Sequence, residues 1–494
     1  MNFLIIYKML IELLSIHMLI KLSMGVIIGL VFGIIPGLGG VIALAVLISM
    51  TFSMDPMSAF TFLIGAATAA AFGGSISAIL INVPGTSQNV ATCLDGYPLT
   101  RKGEGIRALA ASATASLLGG IFGGLILFLM IPVAREIVMA FASPEYFMLC
   151  VLGLTAIASI SGKSLRKGLI AGCLGVMLSF IGYDPMTGIV RFSLGIFYLF
   201  DGISVVTLLI GMFGIAEMIA LVIEGETIAN VGFSNISLNK QIWQGVKDIF
   251  IHWKLFLQSS AIGTFIGIIP GIGGSTANVV AYGQAVQTSK HPEKFGTGII
   301  EGVIAPEASN NASFGGALIP TVAFGIPGSE MCVVLLGAFI LHGLVPGPQL
   351  MKENIDLVYL IAWGVIVANI IASVGGLLLM KWLIRVVYIP ISLLAPPVIV
   401  ICILGAYAAT GILEDVIMVL ILGVLGYWMK KANYPLAPML IGFVLGHIAE
   451  LNLHLALQIY GPKFFTRPIT ILLFIVTIIF TITAQLSRKK TKGV

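Results

Sequence analysis

The chain has 494 residues, of which 58% are hydrophobic and only 10% are charged, and its formal net charge is +5. This composition excludes an ordinary soluble enzyme and is typical of a membrane protein with many spans. The five cysteines stand at unrelated spacings and form no disulfide framework or metal-binding motif. We therefore expect no metal site, no cofactor and no nucleic-acid partner.

The N-terminal 23 residues contain Lys8, Glu12 and Lys21, which do not fit a cleavable signal peptide. We expect an interfacial amphipathic helix over residues 1–23, which leads into the first span. Uncharged runs that match or exceed the roughly 20 residues of a spanning helix follow along the chain. They are Leu22–Met54, Pro56–Leu94, Ala108–Ala134, Leu255–Ser289, Leu357–Met380, Val386–Leu413 and Pro468–Ser487. With shorter runs added, they predict an all-α polytopic membrane protein of about 12 spans.

A glycine-proline motif occurs twice in these runs. Residues 29–40 and 263–274 share the same Gly, Pro or Ile at eight positions, and the offset is constant (270 − 36 = 234). Proline removes a helix hydrogen bond, and glycine lets the chain turn without a side-chain obstacle. We therefore expect broken helices or re-entrant loops at Pro36-Gly37 and Pro270-Gly271, as in secondary transporters.

A second motif follows the first in both halves. Phe72-Gly73-Gly74 precedes Pro84-Gly85, and Phe314-Gly315-Gly316 precedes Pro327-Gly328, with nearly equal spacings (84 − 73 = 11; 327 − 315 = 12). This duplication predicts two internal repeats. Their expected limits are residues 24–225 and residues 251–494, the second including C-terminal helices, with a linker over residues 226–250. The repeats could be parallel or inverted, and analogy with other carriers favours inverted repeats.

The breaks and loops predict a site for a small anion. A half-helix that restarts after a break presents unpaired N–H groups and the positive end of its dipole. Such a site binds a carboxylate without a cationic side chain, and nearby hydroxyls and amides suit an oxygen-rich molecule. The expected substrate-binding residues are Pro36, Gly37, Asn82, Pro84, Gly85, Thr86, Ser87, Pro270, Gly271, Ser275, Asn310, Asn311, Pro327, Gly328 and Ser329. Helix packing is the alternative explanation for any single small polar residue among them.

Carboxylates in the second half are candidates for coupling to an ion. Glu301 and Glu307 lie near apolar segments, where ionisable residues are costly and usually functional. Glu307 follows Pro306, so a helix-capping role is the alternative for that residue. Asn278 is the third candidate for ion coupling. No nucleotide-binding loop or catalytic motif is present, so the expected energy source is a Na⁺ or H⁺ gradient.

These motifs resemble one family closely. The segment Glu301–Ser329 looks like the signature of the large membrane subunit of the tripartite tricarboxylate transporters, the TctA family. Segments 290–296, 95–98, 143–147 and 182–188 are similar too, so the resemblance runs from about residue 20 to the C-terminus. Glu330 departs from the family pattern, which usually has a small residue there.

The resemblance implies a three-part bacterial uptake system. Its expected partners are a small membrane subunit and a periplasmic solute-binding protein, and its substrate is a citrate-like di- or tricarboxylate. Homo-oligomer formation is left open.

Two other functions compete with this interpretation of the sequence. They are a passive anion channel and an intramembrane enzyme that uses Glu301 and Glu307 as an acid/base pair.

The basic clusters predict the orientation. Arg488, Lys489, Lys490 and Lys492 form a basic tail, which the positive-inside rule places in the cytoplasm. We therefore expect a multi-pass protein of the bacterial cytoplasmic (inner) membrane with a cytoplasmic C-terminus.

Overall fold

The structure, a computed structural model, describes residues 3–35, 38–160, 165–184, 186–224, 238–270, 273–380, 382 and 391–491. This part of the chain is almost wholly helical. Its first half contains α1 (Phe3–Leu13), α2 (Ile16–Ile34), α3 (Gly39–Met50), α4 (Pro56–Ile81), α5 (Val90–Arg101), α6 (Gly105–Met139), α7 (Ser143–Ile160), α8 (Leu165–Ser179), α9 (Val205–Leu209) and α10 (Ala216–Glu224).

Its second half continues in the same way. It contains α11 (Leu238–Ile251), α12 (Trp253–Ile268), α13 (Gly273–Thr288), α14 (Glu301–Phe324), α15 (Glu330–Leu341), α16 (Pro348–Glu353), α17 (Ile355–Leu378), α18 (Ile391–Thr410), α19 (Leu413–Lys431), α20 (Leu436–Tyr460) and α21 (Pro468–Thr491). A small antiparallel hairpin pairs β1 (Gly182–Tyr183) with β2 (Val190–Arg191), with Gly182 opposite Arg191.

Six helical segments of the described chain are long and apolar enough to cross a membrane, or seven if the bent pair α11–α12 forms one span. The six are Ile16–Ile34, Pro56–Ile81, Gly105–Met139, Val205–Ile223, Ile355–Leu378 and Leu436–Thr466. Shorter apolar helices, including α3 and α15, are too short to cross alone. The fold is therefore an all-α polytopic membrane fold, and the expectation of about 12 spans is not confirmed.

The predicted N-terminal segment and linker both contain helix. Residues 3–13 form α1, and the first membrane-length helix begins at Ile16, earlier than the expected repeat boundary at residue 24. Ser15 caps this helix by accepting a hydrogen bond from the backbone N–H of Met18. Within the predicted linker, residues 226–237 lie outside the described residues, and α11 covers all of the rest. The repeat boundaries stay a prediction.

Two buried helices, α4 and α14, form the centre of the fold. Every residue of α4 from Ser58 to Ile81 is buried, and so is every residue of α14 from Gly302 to Ala323. Asp55 caps α4 by accepting a hydrogen bond from the Ser58 N–H (3.0 Å), and Pro56 occupies the first turn. These central helices carry the loops that the second motif predicts.

Glycines let the neighbouring helices approach α4 and α14 closely. A Cβ atom on Gly29 of α2 would lie 2.7 Å from the Cα atom of Ala66, and one on Gly263 of α12 would lie 2.7 Å from the Cα atom of Ser309. Gly119 of α6 is packed equally closely against Ala308. Small residues at such contacts are the usual means of tight helix association in membranes.

Replacing Gly29 with leucine is expected to lower the yield of folded protein and its melting temperature. The new side chain would collide with the backbone of α4, which cannot move aside as a flexible side chain could, and overpacking costs about 1–3 kcal/mol or more. The matched control is Gly375→Leu in α17, where a Cβ atom meets nothing within 4 Å. Thermal unfolding followed by size-exclusion chromatography measures both variants, and equal melting temperatures would contradict the close contact.

Candidate functional site

The two helix breaks have matching geometry. Ile35 and Ile269 end their helices in extended conformation, with ψ angles of 117° and 113°. Gly39 and Gly273 then begin α3 and α13 with φ angles of +58° and +74°, a region that favours glycine. The offset of 234 residues in the sequence thus corresponds to matching backbone conformations at the described residues on either side of the two breaks.

The two Pro-Gly loops match as well. The residues that end α4 and α14, Asn82 and Gly325, both adopt left-handed conformation, with φ angles of 61° and 68°. Thr86 and Ser329 both precede the next helical segment in extended conformation. The residues that correspond in the two loops are 243 positions apart in both cases (325 − 82; 329 − 86).

The Phe-Gly-Gly motifs are 242 residues apart in the sequence (314 − 72), so the offset of 243 residues shifts their alignment by one residue. A Cβ atom on Gly73 would meet the backbone oxygen of Leu30, and one on Gly316 would meet the equivalent oxygen of Thr264. Gly73 therefore corresponds to Gly316, and not to Gly315 as the Phe-Gly-Gly alignment suggests.

The breaks and loops converge on one cavity of about 40 Å³. Helices α3, α13 and α15 all begin at this cavity, and the short 3-10 helix Ser87–Asn89 completes one side. Its lining residues are Gly40, Val41, Ala71, Thr86, Ser87, Gln88, Gly273, Gly274, Ser275, Ser329, Glu330, Met331 and Ile441. Three helix N-termini that face one small cavity provide unpaired N–H groups and positive dipole ends for an anion.

Four of the predicted binding residues line this cavity. Thr86, Ser87, Ser275 and Ser329 supply hydroxyl groups from three segments of the chain. The Ser329 hydroxyl also accepts a hydrogen bond from the backbone N–H of Cys332 (3.3 Å) and so caps α15. The cavity has room for a few water molecules and is too small for a citrate-sized molecule.

The other described binding candidates do not line the cavity. Asn82 is exposed, Pro84 and Pro270 are half-buried, and Gly85, Pro327 and Gly328 are buried within the loops. The Gly328 N–H donates to the Thr321 hydroxyl (3.2 Å) within its own half. Pro36, Gly37 and Gly271 lie outside the described residues.

The paired asparagines Asn310 and Asn311 lie inside α14. The Asn311 amide nitrogen donates to the side-chain oxygen of Asn369 on α17 (2.6 Å), which links two helices. Both polar atoms of the Asn310 side chain are buried and have no hydrogen-bond partner among the described residues. An unpaired buried amide costs about 1–3 kcal/mol, so packing stability alone does not explain an asparagine at this position.

Asn278 connects α13 with the cavity loop. Its amide nitrogen donates to the backbone oxygen of Gln88 (2.7 Å), while its side-chain oxygen is buried without a partner in the described chain. Helix α13 contacts α14 near the cavity, where a Cβ atom on Gly274 would lie 2.8 Å from the Ser313 hydroxyl. Asn278 thus holds a cavity-lining segment in place.

The two candidate glutamates have different environments. Glu301 lies in the first turn of α14, is partly exposed, and has its carboxylate 3.7 Å from His252 Nδ1. Glu307 is completely buried. Six residues separate them, which corresponds to about 9 Å along a helix axis. Glu301 faces His252, while the hydrogen-bond partners of Glu307 are hydroxyl groups of other helices, so the two carboxyl groups share no partner among the described residues.

Hydroxyl groups surround the Glu307 carboxyl group. Ser75 (2.6 Å), Ser112 (2.8 Å) and Ser116 (3.3 Å) donate to Oε2, and Thr92 (2.5 Å) donates to Oε1. We call these four residues the hydroxyl cage. The cage comes entirely from the first half of the chain, from α4, α5 and α6, while Glu307 belongs to the second half.

The cage was not predicted from the sequence. Ser112 and Ser116 stand four residues apart on α6, which places them on one helix face. That spacing was the available signal, but nothing in the sequence indicates which helix this face contacts. Ser75 and Thr92 lie on either side of the Pro84-Gly85 loop, which brings α4 and α5 together.

Comparison with known proteins identifies the family. Residues 19–441 match the family described as "Tripartite tricarboxylate transporter TctA family". The chain is 33% identical over 475 residues, 95% of this chain and 93% of the relative, to a protein of Agrobacterium vitis described as "Uncharacterized 52.8 kDa protein in TAR-I ttuC' 3'region".

A shorter relative from Agrobacterium vitis, "Uncharacterized protein in TAR-II ttuC' 3'region", is 32% identical over 237 residues, 47% of this chain and 96% of that protein. No solved structure matches the chain. The family match covers both helix breaks, both Pro-Gly loops and Glu307. The chain therefore belongs to the TctA family of tripartite tricarboxylate transporters.

Proposed function

We propose that this chain is the translocating subunit of a binding-protein-dependent uptake system for small di- or tricarboxylates. The observation that carries this proposal is the cavity, where three helix N-termini and four hydroxyl-bearing residues from both halves converge. Such a site suits carboxylates, because unpaired backbone N–H groups bind them without a buried lysine or arginine. Thr86, Ser87, Ser275 and Ser329 are the proposed side-chain contacts.

The size of the cavity favours a carrier over a passive channel. In this conformation a space of about 40 Å³ is smaller than the proposed substrate, and the proposed transport cycle therefore includes a conformational change that enlarges it. The duplicated halves, which meet at the cavity, are the proposed moving parts. A Na⁺ or H⁺ gradient is the proposed energy source, and Glu301, Glu307 and Asn278 are the proposed coupling residues.

The proposed setting is the cytoplasmic membrane of a bacterium, with the C-terminus inside. Its proposed partners are a small membrane subunit and a periplasmic binding protein that delivers the carboxylate. Family membership supports this arrangement, because the family belongs to three-part systems.

Uptake of radiolabelled citrate into vesicles that contain this chain and its partner subunits tests the proposal. We expect accumulation above equilibrium under an inward Na⁺ or H⁺ gradient, and loss of accumulation when an ionophore collapses that gradient. A panel of dicarboxylates under the same gradients covers the rest of the substrate class. Equilibration without accumulation would support a channel, and no uptake of any carboxylate would contradict the proposal.

A further inference from the structure

Glu307 is a buried carboxyl group without a cationic partner in the described chain. Its hydrogen-bond partners are the four uncharged residues of the hydroxyl cage. Burying an ionised carboxylate without a counter-charge is expensive, so a carboxyl group in this position is a candidate for a functional role.

The distances in the cage correspond to direct hydrogen bonds. Three of the four oxygen–oxygen distances are between 2.5 and 2.8 Å, the range for O–H···O bonds. A metal ion bound between these oxygens would hold them further apart. The geometry therefore fits a proton better than Na⁺.

Hydroxyl groups can support both charge states of Glu307. Each hydroxyl has one donor and two acceptor lone pairs, so four hydroxyls can all donate to an ionised carboxylate. When the carboxyl group is protonated, one hydroxyl rotates and accepts its O–H instead. A lysine or arginine in the cage would hold Glu307 in the ionised state, and the described cage contains neither.

The charged and titratable groups around the cage are few and engaged elsewhere. On α5, the Cys93 thiol lies near Glu307, and Asp95 accepts hydrogen bonds from Tyr282 of α13 and from the Gly298 and Ile299 N–H groups. On α6, Arg107 is paired with Asp248 and Glu104. On α14 itself, Glu301 faces His252 from α12. Helix α4 has no titratable side chain.

A chain of hydrogen bonds connects the cage with the cavity. The Thr86 hydroxyl, which lines the cavity, donates to Asn89 Oδ1 (2.5 Å). Asn89 Nδ2 donates to the Ser75 hydroxyl (2.8 Å), and Ser75 donates to Glu307. Asn89 is fully buried, and its Nδ2 also donates to the backbone oxygen of Ala71 (3.2 Å), which holds the orientation of its side-chain amide.

We propose that Glu307 binds and releases a proton during transport and that Asn89 couples this event to the cavity. The proposal rests on the proposed function for its link to transport. The proton comes from water and returns to water, and the bond that forms and breaks is one O–H bond on Glu307. Asn89 is a positioning residue, because its amide does not conduct the proton. Its two hydrogen bonds link the orientation of the Ser75 hydroxyl to that of the Thr86 hydroxyl.

Infrared difference spectroscopy of the full chain in lipid tests the proton site without requiring transport. We expect a protonated-carboxyl band that disappears as the pH is raised in wild type and is absent in Glu307→Gln. Glu301→Gln is the matched control on the same helix, and its spectrum should keep the band. Absence of a pH-dependent band in wild type, or its removal by added Na⁺ at constant pH, would overturn the proposal.

The pH midpoint of the Glu307 band tests the connection between the cavity and Glu307 through Asn89. Thr86→Val removes the cavity hydroxyl but does not touch Glu307, and we expect it to shift the pH midpoint of the Glu307 band. Ser77→Ala is the control, because the Ser77 hydroxyl donates to the backbone oxygen of Gly74 in its own helix (3.1 Å). An unchanged midpoint in Thr86→Val would overturn the coupling role of Asn89.

The two proposals fail in different ways. A titrating Glu307 without uptake of any carboxylate would contradict the proposed function and leave the proton site in place. Na⁺-driven uptake without a pH-dependent band would leave the proposed function in place and contradict this inference.

Discussion

Replacing Gly274 with valine is expected to reduce carboxylate uptake at least about tenfold while the protein still folds and inserts. A Cβ atom at this position would lie 2.7 Å from Gln88 Nε2 and 2.8 Å from the Ser313 hydroxyl, two side-chain ends that must move to accept it. The branched side chain would then occupy a cavity of only about 40 Å³. It would also block the N–H groups that start α13, which are the proposed carboxylate donors.

Gly283→Val is the matched control for this change. Gly283 is on the same helix, and a Cβ atom there meets nothing within 4 Å. Both variants introduce the same side chain on the same helix, so the difference in uptake between them reports on the cavity. Uptake rates normalised to the amount of protein in the membrane measure the effect. Equal uptake by the two variants would mean that the substrate does not pass this cavity.

Replacing Glu330 with glutamine is expected to lower the carboxylate concentration for half-maximal uptake about tenfold. Glu330 lines the cavity in the first turn of α15, and whenever it is ionised its carboxylate repels an anionic substrate. A difference of about 1.4 kcal/mol, a fraction of the interaction between two unit charges at contact, gives a tenfold change in affinity. Glutamine keeps the size and hydrogen-bonding capacity of the side chain, so the change is one of charge.

The gain should be larger for a tricarboxylate than for a dicarboxylate, because repulsion grows with the charge of the substrate. Glu353→Gln is the control, since Glu353 is exposed and contacts Gln349 rather than the cavity. Concentration series with citrate and with a dicarboxylate measure both variants. A weaker apparent affinity in Glu330→Gln would instead indicate that this carboxylate holds a cation or a substrate hydroxyl.

The local breaks could be predicted from the sequence, because their causes are local. Proline and glycine determine where a helix ends whatever surrounds it, so α2 and α12 end at the expected motif, and Asn82 and Gly325 end α4 and α14. Thr86, Ser87, Ser275 and Ser329 follow these breaks directly, and all four line the cavity. Residues that follow a helix break directly in the sequence must also lie close to that break in the structure.

The position of side chains within the central helices could not be predicted in this way. Asn310 and Asn311 are small polar residues near a loop, yet α14 points one towards Asn369 and leaves the other unpaired in the interior. Which face of a buried helix meets which neighbour depends on packing across the whole fold. A helix that is buried all round has no apolar stripe to indicate its orientation. The hydroxyl cage escaped prediction for the same reason.

Glu307 lies in the second half of the chain and its hydroxyl cage in the first, and this has a consequence for biosynthesis. Helix α14 is buried from Gly302 to Ala323, yet it is not among the six membrane-length apolar helices of the described chain, because it carries Glu307 and several serines and asparagines. Such a helix is unstable when surrounded by lipid alone. The ribosome makes the four cage residues first, so a docking site for Glu307 already exists when α14 emerges. Insertion of the second half should therefore depend on the first half, and α14 synthesised without it should fail to remain in the membrane.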